Sequence, residues 1–90
     1  MDVITILKRS ESATFQTVAG EAILIDLQTG KYFSLNRVGT EFWEMLDCEQ
    51  SLAQHAATLA TKYNADAEMV TADLVELAEK LVEKGLAERV

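Results

Sequence analysis

Few side chains in this sequence could carry out chemistry, and they do not form a catalytic set. His55 is the only histidine and falls within a predicted helix, one position from the apolar stripe, where we expect a surface or boundary role. Cys48 is the only cysteine, so neither an internal disulfide nor a cysteine-based metal site is expected. The carboxylates that could act are Asp26, Asp73, Glu76, Glu79 and Glu83. Carboxylates on a long helix usually form only its solvated face, so the sequence predicts a binding module without a cofactor rather than an enzyme.

The composition disfavours two further classes of protein. Among 90 residues, 15 Asp and Glu outweigh 8 Lys and Arg, and the resulting net charge of −7 repels nucleic-acid phosphates. The apolar run Val3–Leu7 is too short to cross a membrane and lacks the flanks of a signal peptide. Because a lone cysteine fits a reduced compartment, we expect a cytoplasmic protein that contacts neither nucleic acid nor membrane.

Two short apolar runs on either side of a turn form the centre of the predicted sheet. Ala22–Leu27 and Lys31–Leu35 flank residues 28–30, and Gly30 can take the positive φ that a bulged hairpin loop requires. Thr14–Val18 is predicted to precede them as the first strand, with a turn at residues 19 and 20 between the first and second strands. Both faces of Ala22–Leu27 are largely apolar, so we expect this strand to be central and covered by helices on at least one side.

The neighbouring strand, Lys31–Leu35, is expected at an edge of the sheet. Phe33 and Leu35 share one face with the aliphatic stem of Lys31, while Tyr32 and Ser34 face the other way. Tyr32 and Phe33 could serve either the core or a ligand. An edge strand also has free backbone groups that can pair with another chain. Residues 1–12 stay ambiguous: Val3–Leu7 could form a strand, and residues 8–12 are expected to be loop.

Three helices are predicted after Asn36. Their boundary signals are an Asn36 cap for Arg37–Cys48, a Ser51/Gln54 capping box for a helix ending at Asn64, and an Asp66 cap for Ala67–Lys84, with Gly85 and Leu86 closing a Schellman motif.

Each helix has a predicted core stripe. The stripe of the first helix is Val38, Phe42, Met45 and Leu46, with Trp43 on the flank. The stripe of the second is Leu52, Ala56, Leu59, Ala60 and Tyr63, and that of the third is Val70, Leu74, Leu77, Ala78 and Leu81. Gly39 is expected to allow a close approach to the sheet. The sum is one α+β, winged-helix-like domain over residues 1–90, with a three-stranded antiparallel sheet followed by three helices.

Three stretches in this order resemble the PqqD-like peptide chaperones, the recognition elements of ribosomally made, modified peptides. They are GEAILIDLQTGKYFSLNRVGTEFWEML from Gly20, SLAQHAATLATKYNAD from Ser51, and VTADLVELAEKLVEKGLAE from Val70. The match runs from about Glu21 to Glu88. Within that family, Tyr32-Phe33, Gly39 and Trp43 most resemble the recognition elements of lasso-peptide biosynthesis.

The resemblance implies that the leader segment of a precursor peptide binds as an extra antiparallel strand, on the third predicted strand and against the third helix. The peptide-binding residues implied are Lys31, Tyr32, Phe33, Ser34, Leu35, Asp73, Leu74, Glu76, Leu77, Lys80 and Leu81. A shallow apolar pocket is expected there. The implied partners are the leader, a cysteine-protease-like leader peptidase and an asparagine-synthetase-like macrolactam synthetase.

Two other interpretations compete with this one. A regulatory or DNA-binding winged helix needs a basic recognition helix, whereas the predicted third helix is acidic. A structural subunit of a larger complex would instead bury the cleft in a permanent interface.

Overall fold

The computed structural model describes all 90 residues and contains five strands and three helices. In chain order these are β1 (Leu7–Arg9), β2 (Ala13–Val18), β3 (Glu21–Asp26), β4 (Tyr32–Ser34), α1 (Arg37–Met45), α2 (Leu52–Tyr63), α3 (Ala67–Glu83) and β5 (Ala87–Arg89). Strands β2, β3 and β4 form an antiparallel sheet in that order, ahead of the three helices, so the predicted α+β fold is confirmed. None of the helices is long and apolar enough to cross a membrane.

The central position of β3 follows from its alternating side chains. Ala22, Leu24 and Asp26 point to the helices and are buried, whereas Ile23 and Ile25 remain 42% and 38% exposed on the opposite face. The helices therefore cover one face of the sheet only. Strands β2 and β3 are joined at residues 19 and 20, which have φ values of +53° and +83°. Two positive φ values in a two-residue loop correspond to the type I′ turn that matches strand twist.

A second sheet, which the sequence did not predict, joins the two ends of the chain. β1 and β5 pair antiparallel, with Leu7 opposite Arg89 and Lys8 opposite Glu88. The expected loop over residues 8–12 was therefore wrong for its first two residues. Residues 3–5 do not form a strand; Ile6 makes an isolated bridge to Ser51. The reason is long-range pairing, which lets three-residue strands form from largely polar sequence.

Helix ends follow the local signals in nearly every case. Asn36 and Asp66 accept backbone hydrogen bonds as N-caps, and Ser51 makes its reciprocal capping box. At the end of α3, the Leu86 N–H donates to the Leu81 carbonyl at 2.9 Å, which confirms the Schellman motif. Helix α1 is shorter than predicted and ends at Met45 rather than Cys48. The Asp47 carboxylate accepts the N–H groups of residues 49 and 50 and holds a turn that replaces the last helical turn.

The core corrects two predictions and confirms a third. Trp43, predicted beside the apolar stripe of α1, is fully buried in the core, and the Phe15 ring meets it edge-on at 5.9 Å. His55 is buried, not at the surface, because it lies three residues after Leu52 on the inner stripe of α2, with its ring edge-on to Phe42. Tyr63, predicted for the core, is 36% exposed at the end of α2.

Candidate functional site

One of the two open edges of the larger sheet is the outer side of β4. The Lys31 carbonyl accepts from Asp26, and the Leu35 N–H donates to Ala22, so these residues direct their backbone groups toward β3. Because backbone groups alternate along a strand, Tyr32 and Ser34 direct their N–H and C=O groups to the open side. No strand of the sheet lies there. Two residues therefore present a short row of unpaired donors and acceptors.

A cavity of about 580 Å³ lies between this edge and α3. We call the whole groove between β4 and α3 the β4–α3 cleft. The apolar lining of its cavity is Phe33, Leu35, Val38, Ala65, Met69, Val70, Leu74 and Leu77. Phe33 is only half-buried and Met69 is 67% exposed, so apolar surface is accessible at the mouth of the groove. A strand laid along β4 could place alternate side chains into this cavity.

Gly39 sets the distance between α1 and α3 at the floor of the cleft. A Cβ at this position would lie 3.2 Å from both Leu77 Cδ2 and Asn36 Oδ1, which is tighter than ordinary van der Waals packing. It would also lie 3.5 Å from Leu35 Cβ, at ordinary contact distance. The close approach expected for Gly39 therefore occurs, but it is chiefly to α3 and to the residue after β4 rather than to a strand.

A second, smaller cavity of about 280 Å³ continues the cleft toward the beginning of β4. Its lining is Asp26, Gly30, Lys31, Tyr32, Lys84 and Leu86. The Lys84 ammonium lies 5.6 Å from the centre of the Phe33 ring, within the range of a cation–π contact. Asp26 is buried, and its Oδ1 accepts from the Gln28 N–H at 2.9 Å.

Ten of the eleven residues predicted for peptide binding line one of these cavities. Lys31 and Tyr32 line the smaller cavity, and the larger one includes Phe33, Ser34, Leu35, Asp73, Leu74, Glu76, Leu77 and Lys80. Leu81 lines neither, because its side chain is completely buried beneath α3. Its place is in the core that supports the cleft.

Sequence reasoning missed several lining residues that belong to the same stripe of α3. Asp66, Met69 and Val70 extend the stripe toward its beginning, and Lys84 lies four residues after Lys80 at its end. Helical spacing was the available signal, since positions three or four apart share a face. Asp26 and Leu86 had no such signal, because they reach the cleft through the tertiary arrangement of β3 and the turn between α3 and β5.

The titratable side chains that could take part in chemistry elsewhere in the molecule lie apart from the cleft. His55 is buried under α1, and this burial lowers its pKa. Asp47 Oδ1 lies 4.0 Å from His55 Nε2, and its negative charge partly opposes the shift. Glu41 forms an ion pair with Lys62, which lowers the pKa of the Glu41 carboxyl. No group of three or more His, Cys, Asp and Glu side chains could hold a metal ion.

Comparison with known proteins places the chain in a family. The model for coenzyme PQQ synthesis protein D (PqqD) matches residues 21–87, and no curated protein sequence matches. A solved structure of TbiB1 in complex with the TbiA(beta) leader peptide is 30% identical, with a TM-score of 0.80 over 90% of this chain and 94% of that chain. A lasso peptide synthetase B1 complexed with the leader peptide shares the fold at 22% identity, with a TM-score of 0.80 over 91% of this chain and 96% of that chain. Since the family match spans most of the sequence and every residue that lines the two cavities, the chain belongs to the PqqD family, as its three motifs indicated.

Proposed function

We propose that this protein binds the leader segment of a ribosomally synthesised precursor peptide, of the lasso type, as a fourth strand added antiparallel to β4. The observation that carries the proposal is the outward direction of the Tyr32 and Ser34 backbone groups beside an apolar cavity. Backbone hydrogen bonds would supply affinity without regard to sequence, and the cavity would select side chains. The two structurally similar proteins were both solved with a leader peptide bound, which supports the same role here.

The proposed role is delivery rather than catalysis. A protein that holds the leader raises the local concentration of the attached core peptide at a second enzyme, which increases processing without any bond chemistry of its own. The partners proposed are a cysteine-protease-like leader peptidase and an asparagine-synthetase-like macrolactam synthetase. The exposed acidic surface and the lack of a basic helix do not favour the nucleic-acid alternative.

Proline substitution at the edge tests the mode of binding. Ser34→Pro removes an N–H that points away from β3, so the sheet should remain folded while one hydrogen bond to an added strand is lost and the ring obstructs its approach. The probe is a fluorescein-labelled synthetic peptide covering the leader of the precursor encoded beside this gene. We expect fluorescence polarisation to give a dissociation constant near 1 μM, about −8 kcal/mol, for the unsubstituted protein. Ser34→Pro should weaken binding by about tenfold or more.

Thr17→Pro is the matched control on the opposite edge of the sheet. Ala22 donates its N–H to Thr40 and accepts from Leu35, so it has no backbone bond to Thr17, its neighbour on β2. Thr17 therefore also directs its N–H away from β3. This variant should bind the leader normally. Equal weakening by both substitutions, or no binding of the leader by the unsubstituted protein, would contradict the proposal.

A further inference from the structure

We propose that the β4–α3 cleft selects the leader strand by the position of its charges, with an acidic side chain at the smaller cavity and a basic side chain beside Asp73 in the larger one. This inference rests on the proposed function above. It assigns Lys31 and Lys84 as specificity-determining residues.

The smaller cavity is the basic end of the cleft. Lys31 and Lys84 both line it, and neither has a carboxylate within salt-bridge distance, whereas Lys8, Lys62 and Lys80 are all ion-paired. The Lys84 ammonium lies over the Phe33 ring and so is held at the cleft rather than extended into solvent. The one carboxylate in this cavity, Asp26, is buried and already accepts a backbone hydrogen bond. Two cations are thus available to a ligand.

The larger cavity is the acidic end. Its charged lining is Asp66, Asp73, Glu76 and Lys80. Glu76 and Lys80 neutralise each other in an ion pair of 3.3 Å, and Asp66 is engaged as the N-cap of α3. Asp73 is exposed and makes no hydrogen bond or ion pair, so it is the carboxylate free to receive a cation from the ligand.

This separation of charge gives the bound strand a direction. The beginning of β4 lies near the end of α3, as the shared cavity of Lys31 and Lys84 requires, and the end of β4 lies near the beginning of α3. A strand antiparallel to β4 therefore begins near Asp73 and ends near Lys84. Its basic residue should be N-terminal and its acidic residue C-terminal within the bound segment.

The net charge of the protein cannot produce this pattern. A net charge of −7 disfavours acidic peptides everywhere on the surface and gives no preference for one end of the cleft over the other. A preference for acid confined to one end must come from nearby cations, and it must decrease with salt because exposed charges are screened.

Two substitution scans of the same leader peptide test the inference. Each residue of the bound segment is replaced in turn by Glu and by Lys, and dissociation constants are measured by fluorescence polarisation at low and high NaCl. At the C-terminal positions we expect the Glu peptides to bind about two- to fivefold more tightly than the Lys peptides, as exposed ion pairs allow. At the N-terminal positions the preference should reverse.

The double variant Lys31→Gln, Lys84→Gln should abolish the C-terminal preference and leave the N-terminal one unchanged. The double variant Lys8→Gln, Arg89→Gln changes the net charge equally on the β1–β5 sheet and should alter neither preference.

Two outcomes would overturn the inference while the proposed function stands. In the first, the unmodified leader binds but the Glu and Lys peptides bind equally at every position. In the second, the C-terminal preference survives the Lys31 and Lys84 changes. An acid preference at the N-terminal positions would overturn the antiparallel direction. Failure of the unmodified leader to bind would remove both.

Discussion

Thr40 joins helix α1 to the central strand through one buried hydrogen bond with Ala22. The Ala22 N–H donates to Thr40 Oγ1 at 2.8 Å, and both residues are almost inaccessible to solvent. The Ala22 carbonyl accepts from Leu35, the residue after β4. The Thr40 hydroxyl therefore satisfies a strand N–H at the point where β4 ends and the chain enters α1.

Thr40→Val should lower the free energy of unfolding by about 1–3 kcal/mol, because the Ala22 N–H would be left buried without an acceptor. Urea unfolding followed by circular dichroism measures the change. Thr58→Val is the matched control, since the Thr58 hydroxyl bonds only to the Gln54 carbonyl of its own helix and is exposed. A loss no larger than that of the control would show that the N–H finds another partner.

Gly39→Ala should impair the cleft more than the fold. The new methyl group would lie 3.2 Å from both Leu77 Cδ2 and Asn36 Oδ1. Leu77 can yield toward the cavity it lines, and the Asn36 side chain must shift by a few tenths of an ångström while it still caps α1. The gain in helix propensity, about 1 kcal/mol, should offset much of the strain, so the unfolding free energy should change by less than about 1 kcal/mol. Leader affinity should fall, because the displaced side chain narrows the cavity. Unchanged affinity at unchanged stability would contradict this role for Gly39.

His55 should make the stability depend on pH near neutrality. Burial lowers the pKa of His55, with Asp47 partly opposing the shift, while the same group in the unfolded chain titrates near its ordinary value of 6.5. Between those two pKa values the unfolded state binds more protons, so the free energy of unfolding should fall as the pH drops below about 6.5 and level off below the folded-state pKa.

Urea unfolding between pH 8 and pH 5 measures this dependence, and His55→Leu should flatten it. The acidic groups act at lower pH. The Lys62 hydrogen bond lowers the pKa of Glu41 from 4.5, and the Gln50 N–H lowers that of Asp47 from 3.8, so the stability they supply is lost only as the pH falls below those ordinary values. A slope that persists in His55→Leu above pH 5 would assign the effect to another group.

Ala19→Asn should stabilise the β2–β3 hairpin. Ala19 has a φ of +53°, a left-handed conformation that costs a residue with a Cβ about 1 kcal/mol and that asparagine tolerates better. We expect the unfolding free energy to rise by about 0.5–1 kcal/mol, since Asn-Gly is the preferred pair for a type I′ turn. Ala19→Val should have the opposite effect, because a β-branched side chain is strained at positive φ. Equal stabilities for both variants would argue against this turn geometry in solution.

Sequence reasoning succeeded where the determining interactions are local. The caps at Asn36, Ser51 and Asp66 bond to residues two or three positions away, and the Gly85 turn closes on the end of its own helix. The central position of β3 was also predictable, because its alternating residues are apolar on both faces. The β4–α3 cleft was anticipated through the family resemblance rather than through local patterns.

The failures share a physical cause in long-range contacts. Strands β1 and β5 are short and largely polar, and only pairing between opposite ends of the chain makes them strands. His55 was wrongly predicted at the surface because the burial of a histidine beside an apolar stripe depends on its tertiary neighbours. Here that neighbour is the Phe42 ring. Lys31 was expected at the site, but its proximity to Lys84 was missed because no local pattern brings these two residues together.

The pairing of β1 with β5 also bears on the order in which the molecule folds. The hairpins and the α2–α3 pair can form from nearby residues, whereas joining Leu7 to Arg89 requires closing almost the whole chain into a loop, at a cost in entropy that grows with loop length. We expect this small sheet to form last and to open first. Hydrogen exchange should therefore be faster at the paired amides of residues 7–9 and 87–89 than at those of β3, even though Leu7 and Ala87 are buried.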